Sequence, residues 1–159
     1  MLFLITVWMG NHKLKQAEEG ELYKQLAYID EMTGLHNRSA YEEYLMENSK
    51  TDAASYVLMM DLNNLKQCND ILGHRVGDDY IMKAAASIRK ILESHGCCYR
   101  IGGDEFVVIV KGKTQDEMDV IIHQTQENVN AIAWGADTPW QLSISIGLSL
   151  IHISEPTRP

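Results

Sequence analysis

The sequence predicts an α/β sandwich of the α+β kind, with helices packed on a mostly antiparallel sheet. Three observations predict it. Short apolar runs of strand length alternate with longer segments of helical period. Two strand-like runs flank a Gly-Gly turn at 102–103, which is the pattern of a hairpin. The resulting order of helix, strand, helix, hairpin, helix, strand leaves neighbouring strands to pair mainly antiparallel.

Each element has its own signal. Residues 11–29 carry Leu14, Ala17, Leu22, Leu26 and Ile29 among charged residues, which fits an amphipathic helix. Residues 39–47 are expected to be helical, and 56–61 (Tyr56, Val57, Leu58, Met59, Met60, Asp61) form a buried strand. Residues 78–94 form a helix that places Ile81, Ala85, Ile88 and Leu92 on one face. Residues 97–101 and 105–110 are the two arms of the hairpin. Thr114-Gln115-Asp116-Glu117 is a capping box, and the helix it opens buries Met118, Ile121, Ile122, Val129 and Ile132. Residues 142–146 alternate as a last strand.

Composition narrows the function. The chain has 159 residues, 45% hydrophobic, enough for one domain with a sizeable core. A net charge of −8 with no basic run excludes binding along a nucleic-acid backbone. The expected partner is a small anion held through a metal and local amides. Cys68, Cys97 and Cys98 lack metal-type spacing, and adjacent cysteines rarely bridge. All three are read as free thiols of a reducing cytosol.

The two ends differ from the middle. Residues 1–9 are almost wholly apolar, followed by Lys13 and Lys15, with Trp8 near the boundary. A bilayer takes about 20 residues, so the run is read as the cytoplasmic end of a transmembrane helix. Residues 10–29 then form a helical signalling stalk able to pair with its copy. On this reading the chain is a cytoplasmic domain of an inner-membrane protein. Residues 148–159 (Leu-Ser-Leu-Ile-His-Ile-Ser-Glu-Pro-Thr-Arg-Pro) read as the translation of a sequencing adapter, which sets them aside from the fold.

The chemistry concentrates in two places. Ile101-Gly102-Gly103-Asp104-Glu105-Phe106 sets two carboxylates on a tight turn, and a hard divalent cation with its nucleotide phosphate wants such oxygen ligands. Asp61 ends a buried strand and opens the motif Asp61-Leu62-Asn63-Asn64-Leu65-Lys66-Gln67-Cys68-Asn69-Asp70, followed by Gly73-His74 and Gly77-Asp78. A strand-end carboxylate facing a second acidic motif suits a metal-assisted phosphoryl-transfer site.

These two motifs, with Asp30-Glu31-Met32-Thr33-Gly34-Leu35-His36-Asn37-Arg38 ahead of them, resemble the GGDEF-domain diguanylate cyclases of bacteria. The resemblance runs from about Ile29 to Gly147, so that 30–147 is such a domain without the family's final helix. It implies a palm-like βαββαβ fold and condensation of two GTP into cyclic di-GMP by a homodimer. It further implies Mg²⁺ or Mn²⁺ at Asp61, the Leu62 carbonyl, Asp104 and Glu105, with Asp104 also the candidate for activating the 3′-hydroxyl. By the same resemblance Lys66 lies near the phosphates, and Gly102 and Gly103 bring amides to them. Asn69, Asp78 and His74 contact substrate, the first two through guanine. A carboxylate can accept from guanine N1–H and its amine, which adenine does not offer. Asp78 is equally read as the N-cap of the helix that follows. Arg100 orders the turn or supports dimer contacts, and the sequence leaves both open. The family's product-inhibition motif, Arg-x-x-Asp, falls here on Glu93-Ser94-His95-Gly96, with neither charged anchor, and Leu65 stands where many members carry Phe. A nucleotide-sensing module without catalysis is the alternative.

Overall fold

A computed structural model describes residues 27–48, 54–132 and 143–152, together with Lys15, Gly20 and Tyr23. The apolar run at 1–9, most of the expected stalk and residues 153–159 lie outside the described residues. No helix among the described residues is long and apolar enough to cross a membrane.

The elements are α1 (Arg38–Asn48), β1 (Ala54–Leu62), α2 (Leu65–Leu72), α3 (His74–Leu92), β2 (Gly96–Arg100), β3 (Glu105–Lys111), α4 (Gln115–Asn130) and β4 (Ile144–His152). The four strands form one sheet in the order β2-β3-β1-β4, with every neighbouring pair antiparallel. The expected α+β architecture and antiparallel sheet are therefore present.

Side chains of β1 alternate between the two faces, and this sorts the core. Leu58, Met60 and Leu62 turn towards α3 and α4, meeting Ile81, Ile88, Leu92, Met118, Ile121 and Val129. Val57 turns the other way and joins Val107, Ile109 and Tyr99, which α1 covers with Ala40, Tyr41 and Tyr44. Tyr41 meets Tyr99 edge to face at a centroid distance of 5.5 Å. Further along that second face the cover ends, and Met59 stands 56% exposed. The uncovered stretch leads directly to Asp61, which is also exposed.

The capping box forms as the sequence predicts. Thr114 Oγ1 accepts from the Glu117 N–H, and the Thr114 N–H donates to the Glu117 carboxylate at 2.8 Å. That backbone bond, with hydrogen bonds from Lys113 and the Thr114 hydroxyl, pulls the Glu117 carboxyl down to about 2. All three cysteines are free, with Cys68 and Cys98 buried.

Two boundaries and one helix differ from expectation. Helix α3 begins at His74 rather than at 78, because Gly73, at φ 86°, ends α2 and lets a new helix start at once. Helix α2 was not anticipated. It is only eight residues long and mostly polar, and buries just Leu65 and Cys68. Strand β4 runs to His152 instead of ending near 146, because residues 148–152 continue the ladder opposite Leu58 to Ala54. Ladder hydrogen bonds are made by the backbone, so this pairing says nothing of how those residues arose.

Leu58 is 0% exposed at the centre of the sheet. Leu58→Ala is expected to lower unfolding stability by about 2–5 kcal/mol in urea denaturation, with an unchanged m-value.

Candidate active site

The antiparallel register of β1 and β3 places Asp61 opposite Glu105. The Leu62 N–H donates to the Asp104 carbonyl at 3.1 Å, so Asp104 is held beside the end of the same strand. Thus the four groups expected to ligate metal, Asp61, Leu62, Asp104 and Glu105, are gathered at one end of the central strand pair. Burial and the like charges of Asp104 and Glu105 push the Asp61 carboxyl above its ordinary value. Among the described residues no group of three or more histidine, cysteine, aspartate or glutamate side chains is placed to hold a metal ion, so there is no all-protein metal cage. Mg²⁺ seldom uses such a cage, taking one or two carboxylates and filling its shell with phosphate oxygens and water. The all-oxygen donor set therefore fits a hard divalent cation completed by a nucleotide.

The turn is built to carry these groups. The Ile101 and Gly102 N–H groups both donate to the Glu105 carbonyl, at 3.0 and 3.3 Å. A Cβ at Gly102 would lie 2.5 Å from Glu105 Oε2, so a larger residue there would push the carboxylate aside from where it folds back over the turn. Gly103 meets nothing within 4 Å at the same test. Of the two amides expected to face phosphate, that of Gly102 is engaged inside the turn, and that of Gly103 is the one left available.

Arg100 takes the first of the two roles that the sequence left open. Its Nε donates to the Gly102 carbonyl at 3.1 Å and its Nη2 to the Gly103 carbonyl at 2.9 Å. Its Nη1 reaches Asp30 at 3.1 Å, in an ion pair whose side chains are 11% and 24% exposed. Arg100 thus orders the turn. Asp30 also accepts from the Thr33 N–H and hydroxyl, at 2.9 and 2.6 Å. The same segment covers the outer edge of β2, where the His36 N–H donates to the Cys98 carbonyl and the Arg100 N–H to the His36 carbonyl. Asp30 and Thr33 received no role from the sequence, although the motif that holds them was noticed. Its Asp30, Thr33 and Gly34 are turn chemistry and are the available signal.

The residues expected at the substrate lie on α2 and α3. Lys66, His74 and Asp78 are exposed. Asn69 lies on α2 with its Oδ1 buried and without a hydrogen-bond partner among the described residues. Asp78 does not cap α3: the helix starts four residues earlier with Gly73 at the N-cap. Its neighbour Asp79 pairs with Lys83 at 2.8 Å instead. The β1–α2 connection turns through Asn64, whose φ of 63° is left-handed, a conformation asparagine tolerates. It is tied down by the Asn63 N–H to the Ser143 carbonyl at 3.0 Å and by Tyr80 Oη to the Asn63 carbonyl at 2.7 Å. Beside the carboxylates, a shallow cavity of about 330 Å³ opens on the uncovered sheet face, lined by Met59, Asp61, Ile101, Glu105, Ser145 and Gly147 among others.

The family model for the GGDEF domain of diguanylate cyclases matches residues 27–158. The chain belongs to that family. Diguanylate cyclase DgcS of Shewanella oneidensis is 38% identical over 90 residues, 54% of this chain and 30% of that protein. Cyclic di-GMP phosphodiesterase NbdA of Pseudomonas aeruginosa is 34% identical over 133 residues, 80% of this chain and 17% of that protein. The chain thus spans about a third or less of the length of these relatives. The coiled coil and GGDEF domain of DgcB from Caulobacter crescentus, solved with c-di-GMP, superimposes with a TM-score of 0.78 at 19% identity. That likeness covers 95% of this chain and 84% of the solved one and speaks to the fold.

Burial raises the Asp30 carboxyl, but the Thr33 and Arg100 hydrogen bonds outweigh it, and the net shift is downward. A carboxylate with a depressed folded value stabilises the protein above the unfolded value and loses that contribution as pH falls through the folded one. Asp30→Asn is therefore expected to cost about 1–3 kcal/mol at neutral pH. The gap from wild type should stay level above about pH 5 and narrow below about pH 4 in urea denaturation at a series of pH values.

Proposed function

We propose that the protein condenses two GTP molecules into cyclic di-GMP and two pyrophosphates, working as a homodimer. The observation that carries this reading is the register that sets Asp61 across from Glu105 with Asp104 alongside. Each 3′-oxygen forms a bond to the α-phosphorus of the other GTP as that phosphorus releases pyrophosphate, and each 3′-hydroxyl gives up its proton. A divalent cation, Mg²⁺ or Mn²⁺, held by Asp61, Glu105, Asp104 and the Leu62 carbonyl, would supply charge neutralisation at the phosphates and lower the pKa of the attacking hydroxyl. Asp104 takes the hydroxyl proton. The Gly103 amide and the Lys66 ammonium face the phosphates, and His74 stands near the substrate. Asn69 and Asp78 hold the guanine. The rest of the catalysis is positioning: two sites, each holding one GTP, meet across a two-fold axis.

The wider expectations join this proposal. The parent protein is anchored in the inner membrane with this domain in the cytoplasm, and the stalk transmits its signal. Product does not inhibit at residues 93–96, since Glu93 and Gly96 stand where the inhibitory motif has arginine and aspartate. A second reading, a nucleotide-sensing module without turnover, draws support from the 34% identical relative named as a phosphodiesterase.

Incubation of the purified chain with GTP and Mg²⁺, followed by mass spectrometry, separates the two. Cyclic di-GMP is expected, and Asp104→Ala should lower its formation by about 100-fold or more. A folded dimer that binds GTP and forms no product would favour the sensor reading. Replacing GTP by ATP should give no cyclic dinucleotide.

A further inference from the structure

Helix α3 contains a glycine in its second turn, Gly77, at a buried position. Alanine is the better helix former there and would cost no backbone strain, since Gly77 is not among the positive-φ residues. What forbids it is Asn69, one helix away. A Cβ at Gly77 would collide with Asn69 Oδ1, lie 2.8 Å from Cγ and 3.3 Å from Nδ2. The amide of Asn69 is therefore seated against the bare Cα of Gly77, carbonyl end first. That carbonyl is the buried side-chain atom without a hydrogen-bond partner among the described residues. Leaving an acceptor unpaired costs stability, so the arrangement needs a reason outside the fold. With the carbonyl innermost, the amino end of the amide stands farther out, 3.3 Å from the same Cβ position, and is the end that can donate to a ligand.

We propose that Gly77 is a positioning residue for nucleotide recognition: its missing side chain seats the Asn69 amide so that Nδ2 donates to the base while the neighbouring Asp78 accepts from it. This rests on the reading of Asn69 and Asp78 as base contacts. The glycine touches no substrate and acts only through Asn69. Because α2 and α3 are separated by Gly73 alone, the one contact also fixes how the two helices meet.

The test is a double-mutant cycle with Gly77→Ala, Asn69→Ala and the pair, read by titration of fluorescent GTP and ATP analogues and by thermal unfolding. Gly77→Ala is expected to weaken binding of the GTP analogue about tenfold and to leave binding of the ATP analogue unchanged. In the Asn69→Ala background the same substitution should leave GTP binding unaffected and raise the melting temperature, because the clash is gone and only the helix preference remains. Wild-type affinity in Gly77→Ala, or equal losses in both backgrounds, would overturn the proposal. Coupling in melting temperature without coupling in binding would make Gly77 a packing residue only and would also overturn it. A wild-type protein that binds no GTP would instead refute the proposed function, and this inference with it.

Discussion

The guanidinium of Arg100 ties together parts of the chain that are far apart in sequence. It fixes the carbonyls of Gly102 and Gly103 and, through Asp30, the segment that borders β2. The need for such a clamp is electrostatic. Burial and, after it, the like charges of Asp104 and Glu105 raise the Asp61 carboxyl, so a free hairpin tip would gain by swinging away. The β1–β3 ladder holds the Asp61 and Glu105 backbones opposite each other, and Arg100 holds the turn that lies between the hairpin arms. The like charges are thus held near one another by the sheet and the clamped turn.

The second half of the site hangs from the same strand. Two residues past Asp61 the chain turns through Asn63 and Asn64, which Tyr80 and Ser143 lock to α3 and to the segment entering β4. Helix α2 follows immediately and carries Lys66 and Asn69, and α3 then presents His74 and Asp78. Asp61 and the residues proposed to hold the base therefore belong to one short continuous stretch, 61–78, supported from below by the apolar faces of α3 and α4. Few degrees of freedom separate the two ends, which is what aligning a phosphorus with an attacking oxygen requires.

Much of this was legible in the chain. The hairpin, the capping box and most of the buried faces of α3 and α4 come from local patterns with a single physical meaning, and they appear where those patterns lie. Ile122 and Ile132, expected to be buried, are only partly so, and Ile132 stands past the end of α4. The juxtaposition of Asp61 with the acidic turn was also legible, because a carboxylate at a strand end has few other uses. Helix α2 was not, since a polar eight-residue helix with two buried side chains has almost no period to read. The early start of α3 was hidden by Gly73 and Gly77, which look like loop residues; Gly77 is instead required by a side chain on another helix. The Arg100–Asp30 pair joins residues 70 apart, and no single-sequence pattern reports a contact of that range. Strand β4 outran its expected end because ladder pairing depends on the backbone, to which side-chain pattern is indifferent.

The central claim is that the acidic end of β1 and the β2–β3 turn hold a nucleotide through a divalent cation. Calorimetric titration of the chain with GTP, in the presence of Mg²⁺ and again in excess EDTA, tests it most directly. The account predicts binding with Mg²⁺ that is lost in EDTA and lost in Asp61→Asn with Mg²⁺ present. Equal affinity with and without the metal, or full affinity in Asp61→Asn, would contradict it.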